Sequence, residues 1–329
     1  MGIFTKEKHI DSRYSFLEKY INIMYRGFWT PAKYEKNIKE KDAPHYFNVM
    51  NSVDQEAIKR CILLVSMVED KVKTYWSGLN RQIPQTVVGE IGGLFGQSEV
   101  THARSYRALA DALGLNGQLD SILELPTVGD RIKYLNKYLD EDPKIIGKKR
   151  ILKTLVLFTA LVEKGSLFTQ FYILMSYSQN NKGLKSISKL QRTTATEENV
   201  HYSFGIDLVN IIKKEYPQLW DEYLVELINK NIIDAYEAEK SLIDWIFEEG
   251  VPDHLTKEEV VNFLNYNFNI ISNDLRLDIK FDYDSELYLS KNHWFTVKTV
   301  APIEGDFFDD NLGGYASDDE DYNEEDIFD

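Results

Sequence analysis

No proline interrupts residues 144–216, and none falls between Pro84 and Pro126. A proline inside a helix removes a backbone donor and clashes with the preceding turn, so these gaps mark where long helices can run. Apolar residues recur at helical spacing through "AIKRCILLVSMVEDKVKTYW" (57–76), "KRILKTLVLFTALVEKGSLFTQFYILMSYS" (149–178) and "LKSISKLQRTTATEENVHYSFGIDLVNIIKKEY" (184–216). Further helices are expected over 86–113, 220–248 and 257–273. Residues 276–300 show some two-residue alternation and fit neither period cleanly. No repeat of solenoid length is present. The chain reads as all-α, with helices long enough for a bundle.

At 43% hydrophobic residues, 329 residues suffice for a sizeable core. The formal charge of -15 is unevenly placed: residues 302–329 hold twelve Asp or Glu and no Lys or Arg, leaving the rest at -3. The expected organisation is a helical domain over 1–301 and a disordered acidic tail over 302–329, where like charges repel and little apolar area offsets chain entropy. That tail also carries Phe307, Phe308, Tyr315, Tyr322, Ile327 and Phe328, which a passive solubilising tail does not need; docking onto a partner explains them. No basic patch with interleaved aromatics speaks for nucleic acid. No apolar run is long enough to span a bilayer, and "MGIFTKEKHIDSRYSF" lacks the pattern of a secretory signal. A single cysteine, Cys61, fits a reducing compartment and a small core residue. A cytoplasmic location is expected.

The chemistry concentrates in two pairs, Glu99-x-x-His102 and Glu198-x-x-His201, each inside a long apolar helical stretch. The i,i+3 spacing puts carboxylate and imidazole on one helix face. Two such pairs, joined by one Glu from each of two other helices, are the layout of dinuclear carboxylate sites in four-helix bundles. Glu69 in "VSMVEDKV" and Glu163 in "TALVEKGSL" supply the other two carboxylates, with Asp70 a competitor for Glu69. Four buried carboxylates together would repel one another and hold protons; two divalent cations balance them. Oxygen and imidazole donors without thiolate suit iron or manganese. Tyr106 lies one turn after His102 on the same stripe, where an oxidant made from dioxygen could turn its phenol into a neutral radical. A buried tyrosine bonded to a ligand carboxylate is the plainer alternative. Leu167, Phe168 and Phe171 are candidate walls excluding water.

These residues resemble the small, radical-generating subunit of class I ribonucleotide reductase, within the ferritin-like superfamily. The likeness runs from about residue 55 to 225 and includes "VKTYW", "SEVTHARSY", "SLFTQFYI" and "EENVHYSFGIDLVNIIKKEYPQLWDE". It implies a ferritin-like four-helix core with additional helices, a homodimer, and two iron or two manganese ions held by Glu69, Glu99, His102, Glu163, Glu198 and His201. It further implies a tyrosyl radical at Tyr106, formed with dioxygen and passed to a large catalytic subunit that reduces ribonucleotides. Trp29, in "GFWTP", would be the first relay residue. Glu197 would orient a ligand histidine toward it, where relatives commonly have Asp. The tail would bind the large subunit, with Tyr315, rather than Tyr322, as its relay tyrosine. Some relatives would align Lys164 instead of Glu163. The rival readings are another dinuclear oxidase of the same architecture, acting on a bound ligand, and a non-catalytic ferritin-like protein.

Overall fold

A computed structural model describes residues 2–6, 12–72 and 74–300, apart from the side chains of residues 12 and 70–72. The competing Asp70 side chain, the acidic tail and Tyr315 therefore lie outside the described residues. Seven helices carry the architecture: α1 (Ser52–Val72), α2 (Thr86–Ala112), α3 (Gly147–Leu157), α4 (Phe168–Gln179), α5 (Lys185–Glu215), α6 (Glu222–Ile246) and α7 (Lys257–Leu275). Among the described residues there is no strand, and no helix is long and apolar enough to cross a membrane. α1 packs against α2 and α4, and α5 against α2, α4 and the segment following α3; α6 and α7 pack against each other and close over that segment.

The apolar stripes account for this packing. On α1, Ala57, Ile58, Cys61, Ile62, Leu64, Val65 and Val68 are buried at a spacing of three and four, and from residue 60 to 69 the helix is buried on every side, Leu63 and Met67 included. α7 begins with a reciprocal cap: Glu259 N donates to Thr256 Oγ1 at 3.1 Å and Thr256 N to Glu259 Oε2 at 2.6 Å. α5 is capped from far away, because Asp42, itself buried, accepts from the Ile187 amide at 2.7 Å. Tyr34 joins Thr193 of α5 through their hydroxyls at 2.6 Å. The N-terminal segment is thereby fastened along the first turns of the longest helix.

The stretch 149–178 is not one helix, as its spacing suggests, but three pieces. Between α3 and α4 the backbone widens into a π-helical segment, Phe158–Gly165, in which hydrogen bonds reach five residues back and each turn accommodates more chain. The cause is local. Gly165 is a weak helix former, and the buried Ser166 hydroxyl donates to Val162 O at 2.8 Å, competing with the backbone for that carbonyl.

The ambiguous segment has an equally specific explanation. Leu277 and Phe281 are buried and Ile279 half-buried, giving the alternation of an extended chain. Its backbone partners are side chains on α7. Asn269 Oδ1 accepts from Phe281 N at 2.9 Å while its amide donates to Phe281 O at 2.6 Å. Asn262 repeats the pattern on Asp284, at 2.7 and 3.0 Å, and Asn265 donates to Asp282 O. Spaced three and four apart, the three amides stand where a strand would. From Ser285 to Thr299 the chain is helical again.

Candidate metal centre

Glu69 comes from α1, Glu99 and His102 from α2, Glu163 from the π-helical segment, and Glu198 and His201 from α5. All six are buried, none more than 1% exposed. Their donor atoms form two overlapping groups, Glu69–Glu99–His102–Glu198 and Glu99–Glu163–Glu198–His201, each with its atoms within 4.8 Å of one another. Glu99 and Glu198 belong to both and so stand between them. His102 Nδ1 lies 2.9 Å from Glu198 Oε1 and 3.5 Å from Glu69 Oε2. His201 Nδ1 lies 3.1 Å from Glu99 Oε1, 3.2 Å from Glu198 Oε2 and 3.4 Å from Glu163 Oε2.

Apart from the hydrogen bond between His201 Nδ1 and Glu198 Oε2, close approach without hydrogen bonding is the telling feature. Both oxygens of Glu69 and of Glu99, Oε1 of Glu198 and Nδ1 of His102 are buried and have no hydrogen-bond partner. His102 Nδ1 is 2.9 Å from Glu198 Oε1, yet the two atoms do not form a hydrogen bond. Buried polar atoms are normally paired, and unpaired ones are costly. Burial drives the Glu69 carboxyl up to about 7, with Glu99 and Glu163 adding to the rise against His102; burial and then Glu198 drive Glu163 up to about 8. Burial alone would lower the two imidazoles, yet the surrounding carboxylates hold both well above the ordinary range, Glu69 foremost for His102 and Glu198 for His201. Each group is thus set to keep a proton, or a cation in its place. Four carboxylates and two imidazoles, in two clusters with shared members, fit a pair of divalent ions with oxygen and nitrogen preference.

The surrounding groups orient the donors. His102 Nε2, on the far side of the ring, contacts Glu197 Oε2 at 2.6 Å, and Ser98 Oγ donates to the same oxygen at 3.1 Å. Glu197 Oε1 accepts from Trp29 Nε1 at 3.1 Å. Although burial raises it, the Glu197 carboxyl is held below its usual range, first by His102 and then by Trp29. The Trp29 ring is buried and lies nearly parallel to His102, centroids 6.0 Å apart. Glu163 faces the cluster, whereas the Lys164 ammonium donates to Asn199 Oδ1 at 2.8 Å and sits 3.8 Å above the Phe168 ring. Leu167, Phe168 and Phe171 are all buried; Phe168 packs against Phe171 and Phe295. Tyr106 is fully buried, and its hydroxyl donates to Gln191 Oε1 at 2.6 Å, not to a carboxylate of the cluster.

Trp76 is a functional neighbour that spacing does not reveal. Its Nε1 donates to Glu163 Oε1 at 2.7 Å. Its backbone lies so close to α2 that a Cβ on Gly92 would sit 2.4 Å from Trp76 O. Together with Phe95, whose ring is 4.1 Å from His201, and Phe204, it forms an aromatic wall. The available signal is chemical: a tryptophan inside an apolar stretch needs an acceptor for its N–H. Gln191 is missed for the same reason.

The family model for the ribonucleotide reductase small chain matches residues 9–286. The chain is 32% identical over 93 residues to the beta subunit of ribonucleoside-diphosphate reductase from Chlamydia pneumoniae, a match spanning 28% of this chain and only 27% of that relative. It is 18% identical to the corresponding subunit from Treponema pallidum, over 92% of this chain and 86% of the relative. Among solved structures, a putative class I ribonucleotide reductase from Bacillus halodurans superposes with a TM-score of 0.75 at 17% identity, covering 87% of this chain and all of the other. An R2-like ligand-binding oxidase with a Mn/Fe cofactor gives 0.64 at 18% identity, covering 81% and 95%. On the extent of the family match, the chain belongs to the ribonucleotide reductase small-chain family.

Proposed function

We propose that this protein is the radical-generating small subunit of a ribonucleoside-diphosphate reductase, and that Tyr106 carries the radical. Two iron or two manganese ions held by Glu69, Glu99, His102, Glu163, Glu198 and His201 would supply, with dioxygen, the oxidation that removes one electron and one proton from that phenol. The chain's own residues do the rest. Glu197 fixes the His102 tautomer and links it to Trp29, giving an electron a hydrogen-bonded route outward. Trp76 holds Glu163 in its rotamer, and Phe95 and Phe204 keep water from His201. The tail, 302–329, docks on a large catalytic subunit and offers Tyr315 as the next relay, and the working form is a homodimer.

The observation that carries this reading is the connected set Trp29–Glu197–His102. An oxidase that acts on a ligand bound beside its own metals has no need of a conduit toward the surface, so the set favours long-range transfer. The test is electron paramagnetic resonance with metal analysis after loading with iron or manganese and oxygen. The wild type should give an organic radical that Tyr106→Phe abolishes while retaining its metals; a radical unchanged in that variant refutes the assignment. Removing residues 310–329 should abolish activity with the large subunit and leave the metals bound.

A further inference from the structure

The Tyr106 hydroxyl has a polar side, and that side is not the carboxylate cluster. Its bond to Gln191 Oε1, at 2.6 Å, joins two fully buried side chains on facing helices, α2 and α5. Gln191 stands seven residues before Glu198, two turns along the same face. Its Nε2 has no hydrogen-bond partner; the buried Thr194 hydroxyl, one turn further on, is a second polar group beside the phenol, and its interaction favours the charged form of Tyr106. Glu69 acts on the phenol through its charge, yet neither of its oxygens accepts a hydrogen bond. Burying an amide to satisfy half of it is expensive. An apolar side chain would pack the two helices as well, so the amide needs another reason to be there.

A carboxamide carries an acceptor and two donors on one rotatable end. A phenol needs an acceptor for its proton, whereas a phenoxyl oxygen can only accept. We propose that Gln191 is the positioning residue for Tyr106 in both of its states, its Oε1 receiving the phenol's hydrogen bond and its amide turning over to present Nε2 to the phenoxyl oxygen. The electron and proton that leave the phenol would both go to the oxidation that the metal pair would supply with dioxygen; Gln191 takes neither, and stays neutral throughout. The first half concerns the phenol alone, while the second rests on the function proposed above.

Each half has its own readout. Full-length, metal-free protein is labelled with tyrosine carrying 13C at Cζ, and Tyr106→Phe identifies the resonance. Gln191→Met, close in size but without the acceptor, should move the Tyr106 signal upfield; Gln191→Glu, which restores an oxygen acceptor, should return it. An unmoved signal in both Gln191→Met and Gln191→Leu, in protein with wild-type helical content, overturns the phenol half. In protein loaded with metal and oxygen, the wild-type radical exchanged into deuterium oxide should show a coupling to one hydrogen-bonded deuteron, lost in Gln191→Met. A wild-type radical without that coupling overturns the phenoxyl half. If the carbon signal responds as described but the loaded wild type yields no organic radical, the proposed function fails and the phenol half stands.

Discussion

Adding one methyl group at Gly205 is a sharp test of how the cluster is assembled. Gly205 is on α5, one turn after His201, against the π-helical segment. A Cβ built there would lie 2.1 Å from Thr159 Oγ1, 2.6 Å from its Cγ2 and 2.9 Å from its Cβ. Thr159 is buried and β-branched, so it has no easy rotamer to retreat to. Overpacking of this kind costs about 1–3 kcal/mol, and the approach distance argues for the upper end. Alanine's better helix propensity returns about 1 kcal/mol, so Gly205→Ala should destabilise the metal-free protein by about 2 kcal/mol. Thr159→Ala alone should be nearly neutral, since its Oγ1 has no partner to lose. Because it removes the two closest atoms, it should return about half of the loss in the double variant. Urea unfolding of the four proteins measures the cycle. Glu163 follows Thr159 by four residues in the same widened segment, so the single variant should also bind metal more weakly. A Gly205→Ala protein within about 0.5 kcal/mol of wild type, or no recovery in the double variant, would refute the packing argument.

Other outcomes follow from the donors themselves. Glu69 and Glu163 titrate near 7 and 8 in the folded chain against an ordinary 4.5, so the native state holds more protons than the unfolded one between these values. Stability of the metal-free protein should therefore fall as pH rises from about 5 to 8, and His102 and His201, raised above 6.5, extend the fall upward. Calorimetry giving a rising Tm over that range would contradict the cluster's electrostatics. Metal should reverse the trend, stabilising by about 2.7 kcal/mol at a hundredfold excess over Kd, and a chelator should undo it. Glu197→Gln leaves an amide facing three donors, His102, Ser98 and Trp29, and should weaken metal binding by roughly 10–100-fold in a chelator competition. Trp76→Phe removes the donor to Glu163 and should cost about 1.5–3 kcal/mol in the metal-loaded protein, read as a lower Tm.

Much of the arrangement was legible in the sequence, for physical reasons. The proline gaps and apolar periods mark α1, α2 and α5, and the two Glu-x-x-His pairs are visible because i,i+3 spacing fixes a shared face whatever surrounds it. Long-range bonds leave no such trace. Nothing in the spacing says that Asp42 caps α5, that Trp76 reaches Glu163, or that Gln191 faces Tyr106. The break in 149–178 is hidden because a π-helical turn keeps the composition of an α-helix, and its cause, a hydroxyl taking one carbonyl, is a single contact. The alternation in 277–281 is that of a real extended chain, misleading only because its ladder is made of asparagine side chains.

The widened segment also sets the sign of the charge presented to the metal site. Glu163 and Lys164 are adjacent, one turned to the cluster and the other to Asn199. Neighbouring residues on a helix point about 100° apart. Deleting one residue between 158 and 162, enough to tighten the π turn into an ordinary one, would bring the lysine to the angular position the glutamate now holds. An ammonium would then occupy the seat of a carboxylate, and a centre arranged for two cations would carry one of its own. One residue of chain length in this segment, with no substitution at any donor, would thus decide which of two neighbouring side chains, an acid or a base, faces the cluster.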